Sequence, residues 1–199
     1  MGTHGAFGFR VNDKDSITYN HWDSYPSGLG NKIANFLSEF SDVEAIKEIA
    51  ENLVLVDADS KPTEDQKAEA KELGLYNDGV STGSDDEWYC LLRNSQGDIS
   101  VYAKGLKYMI DNHGFLEDSL FCEWAYIMNL DTGRLEIYCG FNKDKDAYGR
   151  YASSQKSSMN GRADGYYGVA LYKWIPLENF FGQAIDLEYI EKEVYAEEE

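Results

Sequence analysis

Cysteine, proline and histidine are each scarce in this chain, with three of each among 199 residues, and basic residues number 18 against 36 acidic ones. Cys90, Cys122 and Cys139 form an odd set with no Cys-x-x-Cys spacing. That argues against a disulfide framework or a cysteine zinc site and leaves buried thiols in a reducing compartment. His4, His21 and His113 show no His-x-x-x-His spacing, so no pair of metal ligands is expected on one helix face. No apolar run approaches the ~20 residues of a membrane span, and no basic-then-apolar leader opens the chain. Gly2 meets the first requirement for myristoylation, but Ala6 stands where that motif wants Ser or Thr. The expectation is a soluble, cytoplasmic protein without metal or cofactor.

Aromatic surface is plentiful: aromatic residues make up 14% of the chain, 15 of them Tyr, and hydrophobic residues make up 43%. A disordered chain lacks such material, because it cannot offset its backbone entropy by burial. The length suits one well-buried domain over residues 1–199. The net charge of −18 repels nucleic-acid backbone and membrane phosphate, so direct binding to either is disfavoured. The same charge attracts a strongly basic protein surface.

Hydrophobic periodicity divides the chain into strands, then helices, then strands again. Gly5 to Val11 and Ser16 to Trp22 alternate on either side of the polar cluster Asn12-Asp13-Lys14-Asp15, which predicts a hairpin. Leu29, Ile33, Phe36, Leu37 and Phe40 recur at helical spacing, and Asp42 can cap a second helix with the stripe Val43, Ile46, Ile49, Ala50 and Leu53. Val54-Leu55-Val56 is a short β-branched run. Thr63 and Gln66 form a capping box before a polar helix over Glu64 to Leu73 that ends at Gly74. Ser84 and Glu87 repeat the box, with Asp85, Asp86 and Glu87 where a helix dipole favours negative charge. A helical pattern is expected from Val101 to Asp111, and a hairpin from Cys122 to Phe141 around Asp131-Thr132-Gly133-Arg134. A strand from Tyr166 to Ile175 follows, then an acidic tail over 190–199 with frayed ends. Strands at both ends predict an α+β fold in which the N-terminal hairpin and the C-terminal strands join one antiparallel sheet with the central helices packed on it.

Two stretches concentrate candidate functional residues. Residues 19–30 hold His21, Trp22, Asp23, Tyr25, Pro26 and two glycines where a strand pattern hands over to a helix pattern. His21 and Asp23, two apart on a continuing strand, would share a face and could act as a base with its orienting carboxylate. Ser27-Gly28-Leu29-Gly30 could offer backbone N–H groups to an anion, but lacks the Gly-Lys-Ser/Thr ending of a P-loop. Residues 142–165 form a long, flexible-looking loop carrying Lys143, Arg150 and Arg162, net +2 in a chain of −18. Asn142, Asp144 and Asp146 imitate the start of a calcium loop, but Ala147 replaces its Gly and Ser153 its closing Glu.

The opening Met1-Gly2-Thr3-His4-Gly5 and the segment His21-Trp22-Asp23-Ser24-Tyr25-Pro26-Ser27-Gly28 resemble a group of small bacterial and phage proteins. Those begin with a Met-small-Thr-Arg-like start and carry a His-aromatic-Asp-Gly-Tyr-Pro-x-Gly segment. Here His4 replaces the usual Arg and Ser24 the common Gly, and the match covers about the first thirty residues. The resemblance implies a phage or mobile-element setting and no set activity. The start is also faintly similar to N-terminal-nucleophile hydrolases, although removal of Met1 would expose Gly2, which has no nucleophile, and Thr3 would serve only after a further cleavage.

The resulting expectation is an acidic interaction protein, phage-encoded and acting in the host cytoplasm, that inhibits a basic nucleic-acid-handling protein such as a CRISPR effector. Its expected contacts are Trp22 and Tyr25 as anchors, the acidic residues Glu64, Asp65, Asp85, Asp86 and Glu87, and the basic residues Lys143, Arg150 and Arg162. The alternative is a small hydrolase or ligand-binding enzyme with a pocket around residues 19–30 that uses His21 and Asp23.

Overall fold

Strands β1 (Gly5–Val11) and β2 (Lys14–Asn20) form the expected hairpin, with Asn12 and Asp13 alone at its tip at φ 52° and 60°. Asn and Asp tolerate this left-handed geometry, which a two-residue hairpin turn needs to match the strand twist. The chain is described here from a computed structural model covering residues 2–75, 87–154 and 165–197. After the hairpin, a five-residue π-helical turn (Pro26–Gly30) leads into α1 (Asn31–Ser38) and then α2 (Val43–Glu51). The Asp42 carboxylate caps α2 by accepting from the Ala45 N–H at 3.1 Å. Strand β3 (Val54–Val56) follows, then α3 (Glu64–Glu72), whose capping box is complete: Thr63 Oγ1 accepts from Gln66 N, and Gln66 Oε1 from Thr63 N.

The helix expected from Val101 to Asp111 does not form. Helix α4 (Trp88–Leu91) and helix α5 (Ser100–Ala103) are single turns, and Gly105 at φ 106° breaks the pattern. Beyond it, β4 (Tyr108–Ile110) pairs parallel with β3 in a separate two-stranded sheet. Leu106, Met109 and Ile110 are buried as the helix reading required, but short apolar runs serve strand and helix alike.

The C-terminal strands are β5 (Trp124–Asn129), β6 (Arg134–Cys139) and β7 (Ala170–Pro176), antiparallel in sequence order. The main sheet runs β2-β1-β5-β6-β7, so the fold is α+β, as the pattern predicts. The expectation of an antiparallel sheet fails at one junction, where β1 pairs parallel with β5. Side-chain alternation specifies which face a strand buries and leaves the direction of its partner open. Past Tyr189, the acidic tail continues as helix α6 (Glu188–Glu197), because Leu187 and Ile190 are fully buried against the helix-bearing face of the sheet.

Both faces of the main sheet are covered. Phe7, Phe9, Tyr126, Met128, Leu135 and Ile137 meet Leu29, Ile33, Phe36, Leu37 and Ile46 from the helices. On the opposite face, Ala6, Ile17, Ala125, Ile127 and Tyr138 lie under Leu116 of a short 3-10 turn (His113–Glu117) and under Tyr151 and Val169 from loops. Each fully buried large apolar side chain stabilises the fold by roughly 1.5–3 kcal/mol. The loop-covered face also holds charge, and that charge bears on the site.

Candidate interaction surface

Residues 19–30 form a pinned corner between β2 and α1. Asn20, buried, donates from Nδ2 to the Trp22 carbonyl at 2.6 Å and to Ser24 Oγ at 2.7 Å. The Tyr126 hydroxyl donates to the Ser24 carbonyl at 2.9 Å, and Ser24 N donates to the Thr3 carbonyl at 3.1 Å. Leu29 N donates back to the Asp23 carbonyl at 2.8 Å. A Cβ at residue 28 would overlap that carbonyl, so only Gly28 permits the turn. The N–H groups of Gly28, Leu29 and Gly30 all bond within the corner, and Ser27 faces Glu191, which bonds its hydroxyl at 2.6 Å. The turn's donors are therefore spent on the fold, against the expectation of an anion site.

The catalytic pairing of His21 with Asp23 does not assemble. Asp23 adopts φ 52°, which ends the strand alternation that would have put the two side chains on one face. His21 Nδ1 instead meets the Tyr19 hydroxyl at 2.7 Å, and its ring stacks on His4 with centroids 5.0 Å apart. Burial lowers the His21 pKa, with help from the neighbouring His4 and Arg93, which favours the neutral ring. Burial raises the Tyr19 hydroxyl. Among the described residues, no three His, Cys, Asp or Glu side chains come together to hold a metal ion.

At this end of the sheet, large apolar groups reach solvent. The register sets Gly5 opposite both Asn20 and Trp124, and Trp124 opposite Cys139. Residues just beyond these strand ends therefore emerge at the same end of the sheet. They include Trp22 (61% exposed), Phe121 (55%) and Phe141 (51%). Trp22 is set edge-on to His21 at 4.2 Å, and a Cβ at Gly2 would overlap its ring. Phe141 holds φ 55°, a conformation that costs a bulky residue on the order of 1–3 kcal/mol. Its N–H is anchored on the Ser119 carbonyl at 2.7 Å, and its ring meets Tyr166 edge-on at 6.4 Å. Lys143 lies 5.0 Å over the Tyr166 ring. Tyr25, half-buried, starts the π-helical turn, and its carbonyl accepts from Gly28 and Gly30.

The other expected contacts scatter. Glu64 and Asp65 are exposed on α3, where Glu64 pairs with Lys67 at 2.9 Å. Glu87 precedes α4 without capping it, and Asp85, Asp86 and Arg162 lie outside the described residues. Residues 142–154 lie on the loop-covered face of the sheet. Asn142 Nδ2 donates to the carbonyls of Ala152 and Gly168, while Asn142 and Asp144 accept from the N–H groups two residues on.

Arg150 meets Glu136 in a bidentate pair at 2.8 and 2.7 Å and approaches Asp15 at 3.7 Å. Glu136 and Asp15 have side chains only 9% and 8% exposed. Glu136 also accepts from Asn129 at 2.8 Å and from the Tyr138 hydroxyl at 2.9 Å. Asp15 accepts from Arg10 at 3.1 Å and from Tyr151 at 2.7 Å, leaving its Oδ1 without a hydrogen bond. Burial opposes the Glu136 charge, yet Arg150, Asn129 and Tyr138 outweigh it and hold the pKa below the ordinary range. Burial pushes the Tyr138 and Tyr151 hydroxyls up, so both remain donors.

Sequence reasoning missed Phe121, Phe141 and the Glu136–Asp15 network. The Arg10–Asp15 pair was within reach, since a two-residue turn sets these residues opposite each other. Glu136 between Leu135 and Ile137 was a second sign, because a carboxylate in a strand covered on both faces must be compensated. No helix among the described residues is long and apolar enough to cross a membrane. No protein-family model, curated protein or solved structure matches the chain.

Proposed function

We propose that the protein is a non-enzymatic, acidic interaction protein that inhibits a basic nucleic-acid-handling protein by docking on its nucleic-acid groove. The observation that carries this reading is the exposure of Trp22, Phe121 and Phe141 together at one end of the main sheet, on a chain of net charge −18. Exposed aromatic side chains are the usual anchors of a protein interface, and large apolar groups gathered at one end of a fold mark a surface suited to a partner. The acidic body supplies long-range attraction to a basic groove and the aromatic end supplies short-range affinity. Glu64 and Asp65 on α3 belong to the steering charge. Phage origin and action in the host cytoplasm fit this role.

The test is affinity capture from a lysate of the host, at low and at high salt, beside a triple variant Trp22→Ala, Phe121→Ala, Phe141→Ala. The expected result is a nucleic-acid-binding partner retained at low salt, released by added nucleic acid and by high salt, and lost from the triple variant. Complexes indifferent to salt, or partners that hold the triple variant as well, would sink the reading.

A further inference from the structure

A second region owes nothing to the aromatic end. On the loop-covered face, over β6 and β7, lies a cleft of about 470 Å³. Buried Tyr138 and Glu136, with Arg150, form its floor, and the exposed Arg134, Trp174, Asp146 and Tyr148 form its walls. Glu136 receives hydrogen bonds from Asn129, Tyr138 and Arg150, so the floor is rigid and its charges are spent. The walls are different. The Arg134 guanidinium lies 3.9 Å over the Trp174 ring and has no carboxylate partner among the described residues. The Asp146 carboxylate likewise has no cationic partner there, since only the Asp146 backbone N–H is engaged, by Asp144. Trp174 and Tyr148 are both exposed, and the Tyr148 backbone is tied to β7 through the Leu171 N–H at 2.7 Å.

One free cation, one free anion and two exposed rings around a volume of this size specify a ligand by complement. We propose that the cleft binds a small aromatic zwitterion of amino-acid type, with its ring between Trp174 and Tyr148, its carboxylate on Arg134 and its ammonium on Asp146. A net-neutral ligand also avoids the repulsion that the −18 charge imposes on anions. Stacking on Trp174 pre-orients the Arg134 fork, so little freedom is lost when it takes a planar carboxylate.

The experiment is calorimetric titration of the full chain with L-tyrosine, phenylacetate and phenethylamine, repeated on Arg134→Gln, Asp146→Asn and Tyr148→Ala. All three positions are exposed, and circular dichroism checks that each variant is folded. Saturable binding of L-tyrosine is expected, with phenylacetate and phenethylamine about tenfold weaker or more, since each lacks one charge-assisted contact. Arg134→Gln should weaken L-tyrosine and phenylacetate by about tenfold and leave phenethylamine unchanged, while Asp146→Asn should weaken L-tyrosine and phenethylamine by about tenfold and leave phenylacetate unchanged. Tyr148→Ala should weaken all three. No saturable binding of L-tyrosine, or binding that Arg134→Gln and Asp146→Asn leave unchanged, overturns the proposal. Phenylacetate binding as tightly as L-tyrosine would overturn the zwitterion.

Discussion

Two regions of the main sheet reverse the common rule of burial in opposite senses. At the end where β1 starts, large apolar side chains stand in solvent; on the loop-covered face, the Glu136 and Asp15 carboxylates lie inside. The buried Glu136 carboxylate is satisfied by Arg150, Asn129 and Tyr138, and the buried Asp15 is held by Arg10 and Tyr151 with one oxygen left without a hydrogen bond. Trp22, Phe121 and Phe141 make ring or backbone contacts but leave about half or more of their surface uncovered. The contrast separates residues that the fold consumes from residues that it leaves over. Only the second kind is free to serve a partner.

The sharpest way to break this contrast is Arg150→Ala. It strands the Glu136 carboxylate without its bidentate partner, and the expected loss is about 2–4 kcal/mol in urea unfolding. A loss below about 0.5 kcal/mol, the range of ordinary surface changes, would show that Arg150 is as free as Lys143 and available for contact.

Acid should reach the same network more gently. The Glu136 pKa is lowered in the folded protein, so its contribution is complete above the ordinary glutamate value of about 4.3 and is lost as pH falls through the lower folded value. Melting temperature should therefore drop in that acidic window, and Glu136→Gln should remove that part of the drop from an already less stable protein. An unchanged acid profile in Glu136→Gln would break the assignment.

The smallest effects divide the corner itself. Asn20→Ala removes two buried hydrogen bonds and should cost about 1–2 kcal/mol, whereas Trp22→Ala should stay within about 0.5 kcal/mol. If Trp22→Ala destabilises as much as Asn20→Ala, Trp22 is part of the fold and not an anchor.

What the sequence made legible follows from how local the physics is. The β1–β2 hairpin, the Asp42 cap, the Thr63–Gln66 box and the β5–β6 hairpin depend on neighbours within a few residues, and all four are present. Residues 19–30 also form the strand-to-helix corner that their Pro and Gly content implied. The parallel junction of β1 with β5, the break at Gly105 and the burial of Ile190 depend on distant partners, which periodicity does not report. The candidate surface was legible only at Trp22. Phe141 stood inside an expected strand and Phe121 just before one, and only the shared end of four strands shows both lying beyond the sheet in solvent. Arg150 looked like surface charge in a loop until Glu136, 14 residues earlier, claimed it.

The parallel junction also sets an order of events during synthesis. The β1–β2 hairpin can close as soon as its residues leave the ribosome, but β5, its other neighbour, is made much later. Asn12 and the Asp131 carboxylate that accepts its N–H are 119 residues apart. Until then, one edge of β1 lacks its strand partner, the condition in which nascent sheets pair wrongly. Closing so long a span makes the parallel junction a late and slow step of folding.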